Sequence, residues 1–102
     1  MPTSEVLLDD GVFFIELNPN YPSRDAPGFL QRRCPVTQVT PSGWDCVGSF
    51  ERDSRGKWRA DVNAPYDEEN DSDVLILGEG LDRMTAIAML WRRRHEAYVK
   101  QR

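Results

Sequence analysis

The chain has 102 residues, 39% hydrophobic and 29% charged, with 13 Lys and Arg against 17 Asp and Glu and a formal net charge of −4. That length suits one domain with a single core, and the longest apolar runs, Val12 to Ile15 and Val74 to Leu77, fall far short of the ~20 residues that cross a bilayer, so no membrane association is expected. The N-terminus lacks the basic-then-apolar pattern of a secretory signal, and two cysteines, Cys34 and Cys46, cannot frame a disulfide scaffold, which predicts a reduced, cytoplasmic protein.

The first element is a hairpin over residues 5–17. Asp10-Gly11 suits a two-residue turn with positive φ, which would set Leu8 opposite Phe13, Leu7 opposite Phe14 and Val6 opposite Ile15. Both faces of that hairpin are apolar, so it is expected to be covered twice or to add to another sheet edge. Residues 18–30 contain Pro19, Pro22 and Pro27, which remove donors and fix φ, and they predict a long loop with Tyr21 and Phe29 placed to pin it. A β-meander over residues 31–77 should follow. Gln31 to Thr40 is extended by composition, with Pro35 marking a sheet edge or strand start.

Trp44 to Arg52 and Lys57 to Val62 carry the clearest alternation in the chain. Trp44, Cys46 and Phe50, then Trp58, Ala60 and Val62, share one face. A three-residue loop, Ser54-Arg55-Gly56, pairs Asp53 with Lys57 and sets Phe50 opposite Ala60 and Glu51 opposite Arg59. Asn63 to Asp73 is polar and acidic and reads as a loop, Val74 to Leu77 as a buried strand, and Gly78-Glu79-Gly80 as a break. Asp82 is placed to cap a C-terminal helix over residues 82–100. Its apolar stripe is read as Met84, Ile87, Ala88, Trp91, His95 and Tyr98.

The fold class that follows is α+β. An antiparallel, hairpin-rich sheet of five to six strands packs against one C-terminal helix in a single domain spanning 1–102. The expected core is Phe13, Ile15, Trp44, Phe50, Trp58, Val62, Leu75, Leu77, Ile87, Trp91 and Tyr98.

Chemistry-bearing patterns are few. Asp67, Glu69, Asp71 and Asp73 fall at the first four ligand positions of a calcium loop, but Ser72 stands where glycine must turn and Gly78 where a carboxylate must close the site. Gly78-x-Gly80 has Arg83 at the third glycine of a dinucleotide fingerprint, and no second strand follows. His95, the lone histidine, is expected to pack between Trp91 and Tyr98. The cysteines have no zinc spacing and no serine sits in a nucleophile elbow. No catalytic residue, cofactor or metal is therefore expected, and the chain reads as non-enzymatic.

Charge is the remaining clue. Residues 82–102 hold six cations (Arg83, Arg92, Arg93, Arg94, Lys100, Arg102) against Asp82 and Glu96, whereas residues 1–81 hold seven against fifteen acids. Around the predicted helix, at about 100° per residue from Met84, Arg92, Arg93 and Arg94 point to about 80°, 180° and 280°. Three consecutive arginines so dispersed suit a dipole complement more than a groove reader. The sheet-then-helix order resembles, in element order alone, small DNA-binding modules of the integrase-arm type and the later part of double-stranded-RNA-binding domains. The expected function is a protein-interaction or self-associating module, as a homo-oligomer or with another protein. Met89, Arg92, Arg93 and Lys100 form its partner-binding surface, and nucleic-acid binding through the helix and sheet surface is the alternative.

Overall fold

The computed structural model describes residues 5–99. Six strands, β1 (Val6–Asp9), β2 (Phe13–Leu17), β3 (Gly28–Arg33), β4 (Trp44–Arg52), β5 (Trp58–Asp67) and β6 (Ser72–Leu81), form one antiparallel sheet in sequential order. A ten-residue helix, α1 (Arg83–Arg92), follows directly and lies on one face over β4, β5 and β6, and a short 3-10 turn (Arg94–Glu96) comes after it. The α+β architecture expected from the alternation is the one observed.

The central hairpin keeps the expected register. Phe50 lies opposite Ala60 and Glu51 opposite Arg59. The Asp53 N–H donates to the Lys57 carbonyl at 2.7 Å, and Gly56 takes φ +81 in the three-residue loop. The first hairpin departs from expectation. Its two-residue loop is Gly11-Val12, one step later, so Leu8 pairs with Ile15 and Asp9 with Phe14. The cause is Asp10, whose carboxylate accepts the N–H groups of Val12 and Phe13 at 2.9 and 2.7 Å and so acts as the first residue of the turn.

Three loop boundaries also move. The third strand is Gly28–Arg33, so the proline-rich loop ends before residue 28, and residues 34–43 form a connection folded around the Thr37 hydroxyl. Tyr21 is exposed and does not pin the first loop. Arg83 does, donating to the Ser23 and Ala26 carbonyls at 2.7 and 3.1 Å while Ala26 is fully buried. The acidic stretch is a hairpin, with β5 running on to Asp67 and β6 starting at Ser72. Gly78 and Gly80 lie inside β6, at register shifts that coil it.

The helix is shorter than expected and is rotated. Asp82 caps it as predicted, its carboxylate accepting the Thr85 N–H at 2.8 Å, but it ends at Arg92 and spans about 15 Å where an 18-residue helix would reach about 27 Å. Its buried residues are Ala86, Ile87 and Leu90, a stripe about 100° round from the expected one. Two glycines in the sheet select this rotation. A Cβ on Gly48 would lie 3.2 Å from Leu90 Cδ1, and one on Gly78 would lie 2.7 Å from Met89 Sδ. Leu90 and Met89 therefore fill the spaces that the two absent side chains leave.

Of the expected core, Phe13, Ile15, Phe50, Trp58, Val62, Leu77 and Ile87 are buried and Trp91 is half-buried. Trp44, Leu75 and Tyr98 are exposed. Trp44 lies edge-on to Phe14 on the helix-free face, while Leu75 lies on an edge strand. Leu30, Val47, Ala60 and Leu90 complete the cluster.

Because Leu90 is fully buried and Met84 is 68% exposed, truncation should separate the observed rotation from the expected one. Leu90→Ala should cost about 3 kcal/mol in urea unfolding. Met84→Ala should stay within about 0.5 kcal/mol.

Candidate functional site

The surface expected at Met89, Arg92, Arg93 and Lys100 does not assemble. Met89 is half-buried over Gly78 and packs on the core. Arg93 is bound to Glu96 through two hydrogen bonds of 2.6 and 2.8 Å, and Lys100 lies outside the described residues. Arg92 alone of the four stands exposed without an ion pair among the described residues.

Arg83 and Arg94, the other described arginines of the segment, are spent inside the fold. Arg83 holds the proline-rich loop, with its guanidinium 5.7 Å from the Trp58 ring and 5.9 Å from the Phe50 ring. Arg94 turns back to donate to the Trp91 carbonyl at 2.7 Å, stacks 4.2 Å over the Trp91 ring and pairs with Asp10 at 2.8 Å. His95 is exposed, not central to a stripe, and meets Phe13 edge-on at 5.2 Å. These ties stop the helix at Arg92 and draw the chain toward the first hairpin. Phosphate binding needs converging, available cations, and among the described residues of this segment Arg83, Arg93 and Arg94 are held by carbonyls or carboxylates of the fold.

Asp10 shows the strength of the arrangement. The N–H groups of Phe13 and Val12, and then the Arg94 side chain, hold its carboxyl at about 2. Asp9 is lowered by its bond to Arg33 and then by the Gly11 N–H. Both acids are structural partners in a turn.

Two surfaces remain that the reading of the sequence did not assign. One is the outer edge of β6, where Val74, Leu75 and Ile76 are 40%, 42% and 45% exposed and, among the described residues, β5 is the sole strand neighbour. The other is a fork in the sheet. β4 and β5 pair from Gly48–Val62 to Arg52–Trp58, after which Trp44 to Cys46 stays with β3 while Asn63 and Asp67 pair with β6. Pro65 has no N–H to donate to a ladder. A cleft of about 440 Å³ opens between the arms, lined in part by Asp45, Cys46, Asn63, Tyr66, Asp73 and Tyr98. Pro65, within a strand, was the available signal for the fork.

The helix-free face carries a polar seam. Gln31 and Asp61 are buried there. Asp61 accepts the Ser49 hydroxyl at 3.2 Å, and Arg59 Nε lies 3.5 Å from its second oxygen, near enough for charge attraction but without hydrogen-bond geometry. Burial outweighs these partners and raises the Asp61 pKa. The acidic turn serves itself. Asp67 accepts the Glu69 N–H and the Asn70 side-chain amide, and the Tyr66 hydroxyl donates to Asp71. Among the described residues no three His, Cys, Asp or Glu side chains gather as a metal site would require, and no helix is long and apolar enough to cross a membrane. Both cysteines are unpaired, and burial pushes the Cys46 thiol up.

No family model, curated protein or solved structure matches the chain.

The raised Asp61 pKa fixes the sign of a pH effect. The native state holds this proton more tightly than the unfolded chain, so stability falls as pH rises from the unfolded value, near 3.8, through the folded one. Asp61→Asn, which keeps an acceptor for Ser49, should raise the thermal midpoint by a few degrees at pH 7. The gain should vanish at pH 3.

Proposed function

We propose that the protein is a non-enzymatic interaction module that associates with a second copy of itself through the outer edge of β6. One observation carries this reading: an edge strand that presents three consecutive apolar residues to solvent. Unpaired edges offer a row of backbone donors and acceptors and are normally blunted by charge, bulges or brevity. β1, at the other edge, also exposes Val6, Leu7 and Leu8, but it has four residues and a register shift within that run, so it is the shorter and less regular template. In β6 the irregularities flank a regular window, Val74 to Ile76, which pairs with Asn63, Val62 and Asp61 on its inner side.

The window is self-complementary. A two-fold axis through Leu75 would place Val74 of one copy opposite Ile76 of the other, apolar against apolar, on both sides of the axis. Asp73 would then lie opposite Leu77, so no acid within the window meets another acid directly. The two unpaired cysteines are in keeping with a reducing, cytoplasmic setting.

Light scattering coupled to size-exclusion chromatography should give a concentration-dependent mass approaching a dimer. Val74→Lys combined with Ile76→Lys should hold the mass at that of the monomer with the circular dichroism unchanged. A wild-type chain that stays strictly monomeric at millimolar concentration would remove this function.

A further inference from the structure

The rotation selected by the two sheet glycines turns one flank of α1 toward the outer edge of β6. Leu90 reaches the β4 position at Gly48, and Met89 reaches the β6 position at Gly78. The helix axis therefore runs over β5, between them. At about 100° per residue, the flank that holds Met89 also holds Thr85, Arg92 and Arg93. Arg93 is occupied by Glu96, whereas Arg92 is exposed, with no ion pair among the described residues.

The same register fixes what lies beside that flank. Gly48 pairs with Val62 and Val62 with Leu75, so Leu75 projects from the face that bears the helix, level with Leu90 and the last turn. It is 42% exposed because a helix over β5 leaves the outer side of β6 uncovered. Asp73, next along this face of the strand, lines the cleft between β4 and β5 instead.

A pair of copies joined at β6 has a slot that one copy lacks. Three strand spacings of about 4.8 Å lie between β5 of one copy and β5 of the other, so the two helix axes stand about 14 Å apart beside the two-fold axis. Helices in direct contact pack at about 8–10 Å. The gap left over, about 4–6 Å, is too narrow for a third helix of about 10–12 Å and suits one hydrocarbon chain at a van der Waals spacing of about 4 Å. Its floor is Leu75 from each copy and its walls are the two Met89 flanks. A peptide laid there would find side chains where its backbone needs partners. The last turns of the two helices face each other across the axis, which brings Arg92 of both copies to the rim.

We propose, on the basis of the self-association inferred above, that this slot binds a single-chain anionic amphiphile. Its hydrocarbon chain lies on the two Leu75 side chains between the Met89 flanks, and its carboxylate reaches Arg92. Chain burial supplies affinity, and two arginines at one seam select an anion over a cation. A ligand held by both copies also tightens the pair that forms its site.

The test titrates the full chain, methyl-labelled, with sodium decanoate below its micelle threshold, against decyltrimethylammonium and acetate. Saturable shifts at the Leu75 and Met89 methyl groups are expected with decanoate, weaker ones with the cation and none with acetate. Light scattering should show the dimer persisting to lower protein concentration when decanoate is present. Arg92→Glu should weaken decanoate binding about tenfold, the loss of one charge-assisted contact, and Val39→Ser, on the exposed β3–β4 connection, should leave it unchanged. Val74→Lys with Ile76→Lys keeps Leu75, Met89 and Arg92 but separates the copies, so saturable binding should disappear even though two lysines have been added. Binding retained by that monomer, a wild-type dimer whose methyl groups ignore decanoate, or equal response to the cationic amphiphile would each overturn the slot and leave self-association standing. A wild-type chain that stays monomeric with and without decanoate would remove both.

Discussion

The fit of α1 into the two spaces above Gly48 and Gly78 governs the rest of the molecule. A helix laid on a sheet can turn about its own axis at little cost until side chains interlock. Here Leu90 and Met89 interlock with positions that have no Cβ, and one rotation is selected. With Leu90 down, Arg83 comes to the side of the proline-rich loop and Arg94 to the side of the first hairpin, while Arg92 faces water. Loop, hairpin and helix are thus tied by arginines whose direction was set by two glycines.

That dependence explains what becomes of the basic segment. Counted along the chain, the cations at the C-terminal end look available. In three dimensions each of Arg83, Arg93 and Arg94 satisfies a carbonyl or a carboxylate of the fold. Their strongest contribution is to order, since Arg94 both covers a helix-end carbonyl left open at Trp91 and neutralises a turn carboxylate at Asp10. The charge asymmetry is real as a sum, and three of the cations that make it are used locally.

What the sequence made legible was what local chemistry decides. The β4–β5 register followed from alternation together with a glycine in the left-handed position of a three-residue loop, and the helix start followed from Asp82. What it hid was decided by non-local contacts. The stripe containing Trp91, His95 and Tyr98 was the more apolar by composition, yet it lost to Ala86, Ile87 and Leu90 because the sheet's empty positions sit under the latter. The acidic stretch looked like a loop because carboxylates mask strand propensity, whereas Asp67 and Asp71 stabilise a tight turn between two long strands. Val74, Leu75 and Ile76 looked buried because an apolar run does not reveal that its strand is last in the sheet. Half of the candidate site was hidden for the same reason, although Pro65 pointed to where β5 could not be a central strand.

The fork also divides the sheet mechanically. β4 and β5 are stitched together only from Gly48 to Arg52, so the β5–β6 arm projects from the remaining four strands like one blade of a pair of shears. Its pivot is that short ladder, α1 braces it from one face, and a hydrogen bond from Asn63 Nδ2 to the Cys46 carbonyl ties the two blades beside the pivot. Torsion should therefore be softest along the line between Val47 and Asn63. The sheet carries its compliance in the middle, between two stiff halves, where most sheets are most rigid.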